Sequence, residues 1–183
     1  MTKIRSGSKY LLLVLLGSMP FCEQSGEFYL KGETLQCPFE CMLLAKGRYT
    51  IGEPINLKFT LKNQTDRTQF ILKWYTPLEG IFGEIFRVMR NGEEIPYRGI
   101  LAKRGEPRRE DYVSVEPGDV VSAEVDIAKS WNLSKAGKYR IEFISKLHDV
   151  TENESLIPRR KDAHRPQKLV CNAVQFEIIA SRD

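Results

Sequence analysis

The sequence predicts an all-β fold, an immunoglobulin-like antiparallel β-sandwich preceded by an N-terminal signal segment. Three observations predict it. Residues 55–62 alternate between apolar and polar side chains, Asn91-Gly92 separates two strand-like runs, and Gly137 stands two residues before Tyr139 in Ala136-Gly137-Lys138-Tyr139-Arg140-Ile141-Glu142-Phe143. A period of two marks a half-buried strand. Asn-Gly supplies the positive φ angles of a tight hairpin. A Gly followed by a Tyr at that spacing lets the chain turn a corner that the Tyr hydroxyl can hydrogen-bond while its ring joins the core.

Residues 1–25 are expected to be a signal peptide or lipoprotein leader, and residues 26–183 a single sandwich domain. Lys3, Arg5 and Lys9 precede the apolar run Leu11–Leu16. A run this short cannot span a bilayer, which takes about 20 residues, so an export leader is favoured over a permanent anchor. The expected destination is the periplasm, the cell envelope or the outside of the cell. Cys22 directly after the apolar run offers a thiol for lipidation, although Phe21 is bulky where a lipoprotein peptidase wants a small residue. Membrane association is expected only through Cys22.

The whole chain has 183 residues, 42% hydrophobic and 28% charged, with a formal net charge of +4. Setting residues 1–25 aside removes Lys3, Arg5, Lys9 and Glu23, which leaves 25 basic against 23 acidic residues, net +2. No basic footprint for nucleic acid remains. About 150 residues are enough to bury roughly 68–70% of the unfolded surface in one core, with no metal required.

The strands follow in order. The first lies around Phe39 to Ala45. Gly52 and Pro54 stop the next run and introduce 55–62, where Ile55, Leu57, Phe59 and Leu61 share a face. Asn63-Gln64-Thr65-Asp66 turns the chain into Thr68 to Trp74. Phe86–Arg90 and Glu93–Tyr97 flank Asn91-Gly92, and Pro96, which cannot donate to a ladder, places its strand at an edge or a bulge. Glu116-Pro117-Gly118-Asp119 turns into the alternation of Val121, Ala123, Val125 and Ile127. Tyr139, Ile141 and Phe143 form the next inward face. From Lys168 to Ile179 the parity slips: Leu169, Cys171 and Ala173 are odd, Val174, Phe176 and Ile178 even. A one-residue bulge near Asn172-Ala173 would reconcile them.

Cysteines 37, 41 and 171 follow the leader. Cys37-Pro38-Phe39-Glu40-Cys41 has neither redox nor zinc-knuckle spacing. In an exported protein a disulfide joining the first and last strands is expected, with Cys41 to Cys171 preferred and Cys37 to Cys171 the alternative.

Two loops break the pattern: the aromatic, Gly-rich 74–83 and the long, basic 148–167, with Arg159, Arg160, Lys161 and Arg165. Loops of such length tend to be functional or mobile. His148 and His164 fall in the second, without an H-E-x-x-H motif. No catalytic residue, metal ligand or cofactor site is assigned, since no nucleophile elbow or phosphate-cradling Gly motif occurs. Lys103-Arg104-Gly105-Glu106-Pro107-Arg108-Arg109-Glu110 reads as a solvated crossover, with contact to an acidic partner the rival. Trp74, Tyr75, Ile81 and Phe82 read as strand-end core or as an exposed binding ridge. Asn63, Asn132 and Asn153 each open an N-x-Ser/Thr sequon.

The series Phe-Arg-Val-Met-Arg-Asn-Gly-Glu-Glu-Ile-Pro-Tyr-Arg-Gly from Phe86, Leu-Ala-Lys-Arg-Gly from Leu101, Asp-Tyr-Val-Ser-Val-Glu-Pro-Gly-Asp from Asp111, Val125-Asp126-Ile127, and Trp-Asn-Leu-Ser-Lys-Ala-Gly-Lys-Tyr-Arg-Ile-Glu-Phe from Trp131 resembles the N-terminal β-domain of deuterolysin-type, peptidyl-Lys metalloendopeptidases. With Gly52-Glu53-Pro54 the likeness covers about residues 38–180, and residues 76–143 carry its specific part. The family's zinc helix with H-E-x-x-H and its further Asp ligand have no counterpart here, so the resemblance transfers no catalytic residue. It implies a pro-domain-like sandwich, of the kind that assists folding or holds an enzyme latent. The Gly-Glu-Pro opening is also similar to bacterial proteinase-inhibitor domains of sandwich type.

The expected function is therefore a non-catalytic, exported module that binds a protein, with a secreted peptidase the favoured partner. The alternative is an envelope or lipoprotein module with no peptidase link. Recognition is expected in the loops, at Tyr75, Leu78, Ile81 and Phe82 first, then at Arg108 and Arg109.

Overall fold

A computed structural model describes residues 37–180. The expected leader, its cleavage region and Cys22 lie outside the described residues. The strands in chain order are β1 (Phe39–Leu44), β2 (Arg48–Thr50), β3 (Asn56–Asn63), β4 (Gln69–Leu72), β5 (Phe86–Arg90), β6 (Glu93–Glu94) and β7 (Tyr112–Val115). They continue as β8 (Val120–Asp126), β9 (Gly137–Phe143), β10 (Lys146–Leu147), β11 (Val150–Thr151), β12 (Gln167–Lys168) and β13 (Val174–Ile179). Among the described residues helical structure is confined to short 3₁₀ turns. The fold is all-β.

Two sheets make the sandwich. One has the order β1-β3-β8, the other β2-β13-β9-β5-β6. Taken in chain order these occupy the places of the A, B and E strands and of the G, F and C strands of an immunoglobulin-like sandwich. The facing alternation is why they stack. Leu57, Phe59 and Leu61 of β3 are fully buried, and each stabilises the fold by roughly 1.5–3 kcal/mol through lost water contact. Phe86, Val88, Tyr139, Ile141, Phe176 and Ile178 meet them from the second sheet in one continuous core. Phe143 bridges the layers, 5.7 Å from Phe59 and 5.8 Å from Phe86 between ring centroids.

Both turn signals take the expected form. Asn91 and Gly92 have φ of 50° and 89° and close the β5–β6 hairpin. The Asn91 side-chain oxygen also accepts from Lys138 N at 2.9 Å, fastening the hairpin tip to β9. The Tyr139 hydroxyl donates to the Lys135 carbonyl at 2.5 Å, and its buried ring stacks on Phe176 at 5.4 Å with the planes 2° apart. β6 ends before Pro96, which has no donor to extend it, and Tyr97 returns only as a single bridge to Trp131.

The last strand departs from the expected single bulge. Residues 168–179 form two strands, not one. β12 pairs with β10, β13 pairs with β9, and between them Cys171 bridges to Cys41 on β1. Asn172 serves as a side-chain stand-in for a strand. It accepts from Leu43 N at 2.8 Å and donates to Leu43 O at 3.0 Å. The parity slip therefore records a change of partner sheet. Cys41 and Cys171 form the disulfide, with Cα atoms 4.7 Å apart and a sequence separation of 130. Among the described residues Cys37 has no sulfur partner, and burial raises its thiol pKa above the ordinary value.

In a third, small sheet, β11-β4-β7, the expected strand within Thr68 to Trp74 is β4, and its partners β7 and β11 were not legible in the alternation. It is held in part by polar groups. Asn63 is 1% exposed and donates through its amide nitrogen to Arg67 O at 2.8 Å and Val115 O at 2.9 Å. A glycan would replace one of the two hydrogens on that nitrogen and so remove one of these buried bonds, which disfavours the Asn63 sequon in the folded chain. Asn132 and Asn153 are exposed.

Candidate protein-binding surface

The 74–83 loop is built rather than loose. Thr76, fully buried, accepts from Leu78 N at 3.3 Å and donates to Lys73 O at 2.6 Å, which sets up a 3₁₀ turn at Pro77–Glu79. Tyr75 sits at φ 57°, a left-handed conformation that costs an L-residue roughly 1–2 kcal/mol. Two contacts hold it there. Its N–H donates to Glu79 Oε1 at 2.8 Å, and its ring lies 4.7 Å from that of His148.

Arg104 ties this loop to the charged crossover. Its guanidinium carbon lies 5.3 Å from the Trp74 ring, 5.5 Å from Phe82 and 5.9 Å from Tyr75, within cation–π range of all three. Arg104 Nη2 is 2.6 Å from Glu79 Oε1, an ion pair set off the line of the N–H bonds, so that Nε and Nη2 make no aligned hydrogen bond. Burial raises the Glu79 carboxyl pKa above the usual carboxylate range, outweighing the Tyr75 N–H and Arg104, which lower it. Sequence reading placed Arg104 in a solvated crossover; it is instead the hub between two loops.

The 148–167 loop is the third member. It contains β11 and 3₁₀ turns at Glu154–Leu156 and Lys161–Ala163. Its anchor is buried. Asp149, 0% exposed, accepts from Arg159 Nη1 at 2.7 Å, from the Tyr112 hydroxyl at 2.8 Å and from Arg165 N at 2.8 Å. Burial first, then the hydrogen bond to Asp149, pushes the Tyr112 phenol pKa well above its ordinary value. Lys161 joins this loop to the crossover by donating from N to Glu106 Oε2 at 3.0 Å and from Nζ to Arg104 O. The two histidines are likewise engaged: His164 Nε2 donates to Arg159 O at 3.0 Å, and His148 packs on Tyr75.

The expected contact residues divide accordingly. Tyr75, Leu78 and Ile81 are half-buried and pack against the core, while Phe82 is 37% exposed. Trp74 is core. Arg108 and Arg109 are exposed on a separate 3₁₀ turn, engaged with Glu110 and Glu154 respectively. Sequence reading missed Ile100 and Leu101, exposed by 65% and 73%. Ala102 N donates to Phe82 O at 3.0 Å, which sets this pair beside Phe82. Gly99 makes the approach feasible, since a Cβ there would lie 2.5 Å from the Tyr97 hydroxyl and 2.7 Å from Ser130 Oγ. The Tyr97 hydroxyl then donates to Ile100 O at 2.7 Å. The available signal was two consecutive aliphatics in an otherwise polar stretch. Phe82, Ile100 and Leu101 thus form an exposed apolar ridge where the Ala102–Phe82 bond joins two loop segments.

Among the described residues no three His, Cys, Asp or Glu side chains converge as a metal site would require. No family model matches the chain. It is 26% identical over 92 residues to an extracellular protease of Aeromonas hydrophila, which covers 50% of this chain and 26% of that protein. It is 30% identical over 87 residues to a neutral protease 2 homolog of Uncinocarpus reesii (strain UAMH 1704), 46% of this chain and 24% of that protein. The chain thus spans about a quarter of the length of these curated relatives. Among solved structures, the CARDB domain of the PF1109 protein from Pyrococcus furiosus, in complex with di-metal ions, aligns with 78% of this chain and 94% of its own at 13% identity and TM-score 0.32. A β-glucosidase from Listeria innocua aligns with 76% of this chain and 16% of its own at 12% identity and TM-score 0.31. Those scores are too low to equate the folds. Over about half its length, the chain is similar to segments of two proteases.

Proposed function

We propose that this chain is a non-catalytic, exported β-sandwich module that binds a protein partner, a secreted peptidase first among candidates, as an inhibitor or accessory of the pro-domain kind. The observation that carries it is the similarity to two proteases over a segment only about a quarter of their length. The sequence likeness to the β-domain of deuterolysin-type enzymes supports the finer assignment. The Cys41–Cys171 disulfide supports an oxidising destination. Recognition falls to Phe82, Ile100 and Leu101, since a few apolar anchors dominate interface energy.

The test is a titration of the purified chain against a panel of secreted metallopeptidases, read by residual activity and by complex formation. The reading predicts a stoichiometric complex with at least one of them, weakened roughly tenfold or more by Phe82→Ala or Leu101→Ser. No complex across the panel would refute the peptidase assignment.

A further inference from the structure

We propose that the open cleft beside the β10–β12 ladder binds an extended acidic peptide segment that also carries apolar side chains, with Lys146 and Lys168 holding one of its carboxylates. The cleft has a volume of about 860 Å³, and none of Phe82, Ile100 and Leu101 lines it. Ile85, Phe143, Ile144 and Leu169 give it an apolar lining.

The decisive feature is the register of its rim. Lys146 and Lys168 face each other directly across a ladder only two residues long. Like charges in that position are destabilising, and both side chains share one face. Among the described residues neither lysine enters an ion pair. A carboxylate between them converts a repulsion into two charge-assisted hydrogen bonds. Arg87 extends the basic rim, engaged by Glu94 at 3.7 Å and Glu142 at 3.5 Å, with Glu84 the opposing carboxylate.

The apolar lining, which a bare anion would leave uncovered, calls for a chain that carries apolar side chains beside its carboxylate. Ile144, 44% exposed at the cleft, offers contact to an apolar side chain of the same segment. The inference does not depend on the peptidase reading.

The experiment is fluorescence anisotropy of the full chain with a short labelled peptide of alternating Glu and Leu, beside its Lys-for-Glu counterpart and phosphatidylglycerol vesicles. The expected result is saturable binding of the acidic peptide, weakened by salt and roughly tenfold weaker in Lys146→Gln and in Lys168→Gln. Both variants should unfold at or above the wild-type temperature, because the repulsion is relieved. If they unfold earlier, the double variant Lys146→Arg with Lys168→Arg decides: retained binding supports the proposal, lost binding overturns it. Failure of the acidic peptide to bind, equal binding of the basic one, unchanged affinity in the Gln variants, or binding to vesicles alone overturns it as well. Such a failure with peptidase complexes intact would sink the cleft and leave the proposed function standing.

Discussion

Replacing Asp149 by Ala should be among the most damaging single changes in this domain. The carboxylate accepts from Arg159, Tyr112 and Arg165 while fully buried. Beside it lies the apolar group of Leu72, Trp74, Tyr112 and Ile157. Its loss leaves the Arg159 guanidinium, only 9% exposed and already short of a partner at Nη2, without a counter-charge. Breaking a buried pair from one side costs about 3–5 kcal/mol. A domain of this size loses roughly 2–4 °C of Tm per kcal/mol, so the expected fall is roughly 6–20 °C. The assay is urea and thermal unfolding of Asp149→Ala beside the double variant Asp149→Leu with Arg159→Met. The double variant should be more stable than the single one, because an apolar pair leaves no uncompensated guanidinium, although the Tyr112 hydroxyl and Arg165 N–H still lose their acceptor at about 1–3 kcal/mol each. A loss under about 1 kcal/mol in the single variant, or a double variant no better than the single, would refute the view that this pair anchors the 148–167 loop.

Three further outcomes follow from the geometry. Tyr139→Phe keeps the ring stacked on Phe176 but leaves the Lys135 carbonyl without its donor, so stability should fall by about 1–2 kcal/mol in urea unfolding; no change would show that the hydroxyl is idle. Cys41→Ser, with Cys171→Ser, frees the long segment closed by the disulfide and should cost about 2–5 kcal/mol, read by the same assay. Burial, then Lys146 and His164, hold the His148 pKa below its ordinary value. The unfolded chain therefore binds the proton first as pH falls. Stability contributed by neutral His148 is complete above about pH 6.5 and declines below it toward the folded pKa. His148→Gln should flatten the stability–pH slope in that window, and an unaltered slope would contradict the assignment.

The readable parts of the fold were those in which one physical signal acts alone. β3 announces itself because Leu57, Phe59 and Leu61 alternate with solvated residues. Asn91-Gly92 and Tyr139 are legible because turn geometry and the corner hydrogen bond depend on few neighbours. Of the third sheet only β4 was read, within Thr68 to Trp74; its partner β11 was hidden because it is two residues long and carries the buried polar Thr151. The final strand was misread as one bulged element because its two halves answer to different sheets.

At the candidate surface, Phe82 was identified and its aliphatic neighbours were not. Ile100 and Leu101 join it only through the tertiary contact of Ala102 with Phe82. Arg104 looked like one charge among many, since its aromatic surroundings, Trp74 and Phe82, come from a loop 30 and 22 residues earlier in the chain. Arg159 was counted with a long, basic loop because its partner Asp149 shows no sequence sign of burial.

The central claim is that protein recognition resides on the ridge of Phe82, Ile100 and Leu101. Amide hydrogen exchange of the chain, alone and saturated with a peptidase that it binds, tests that claim most directly. The account predicts new protection concentrated in residues 79–83 and 98–104. Protection confined to the outer faces of the two main sheets, with those segments unchanged, would contradict it.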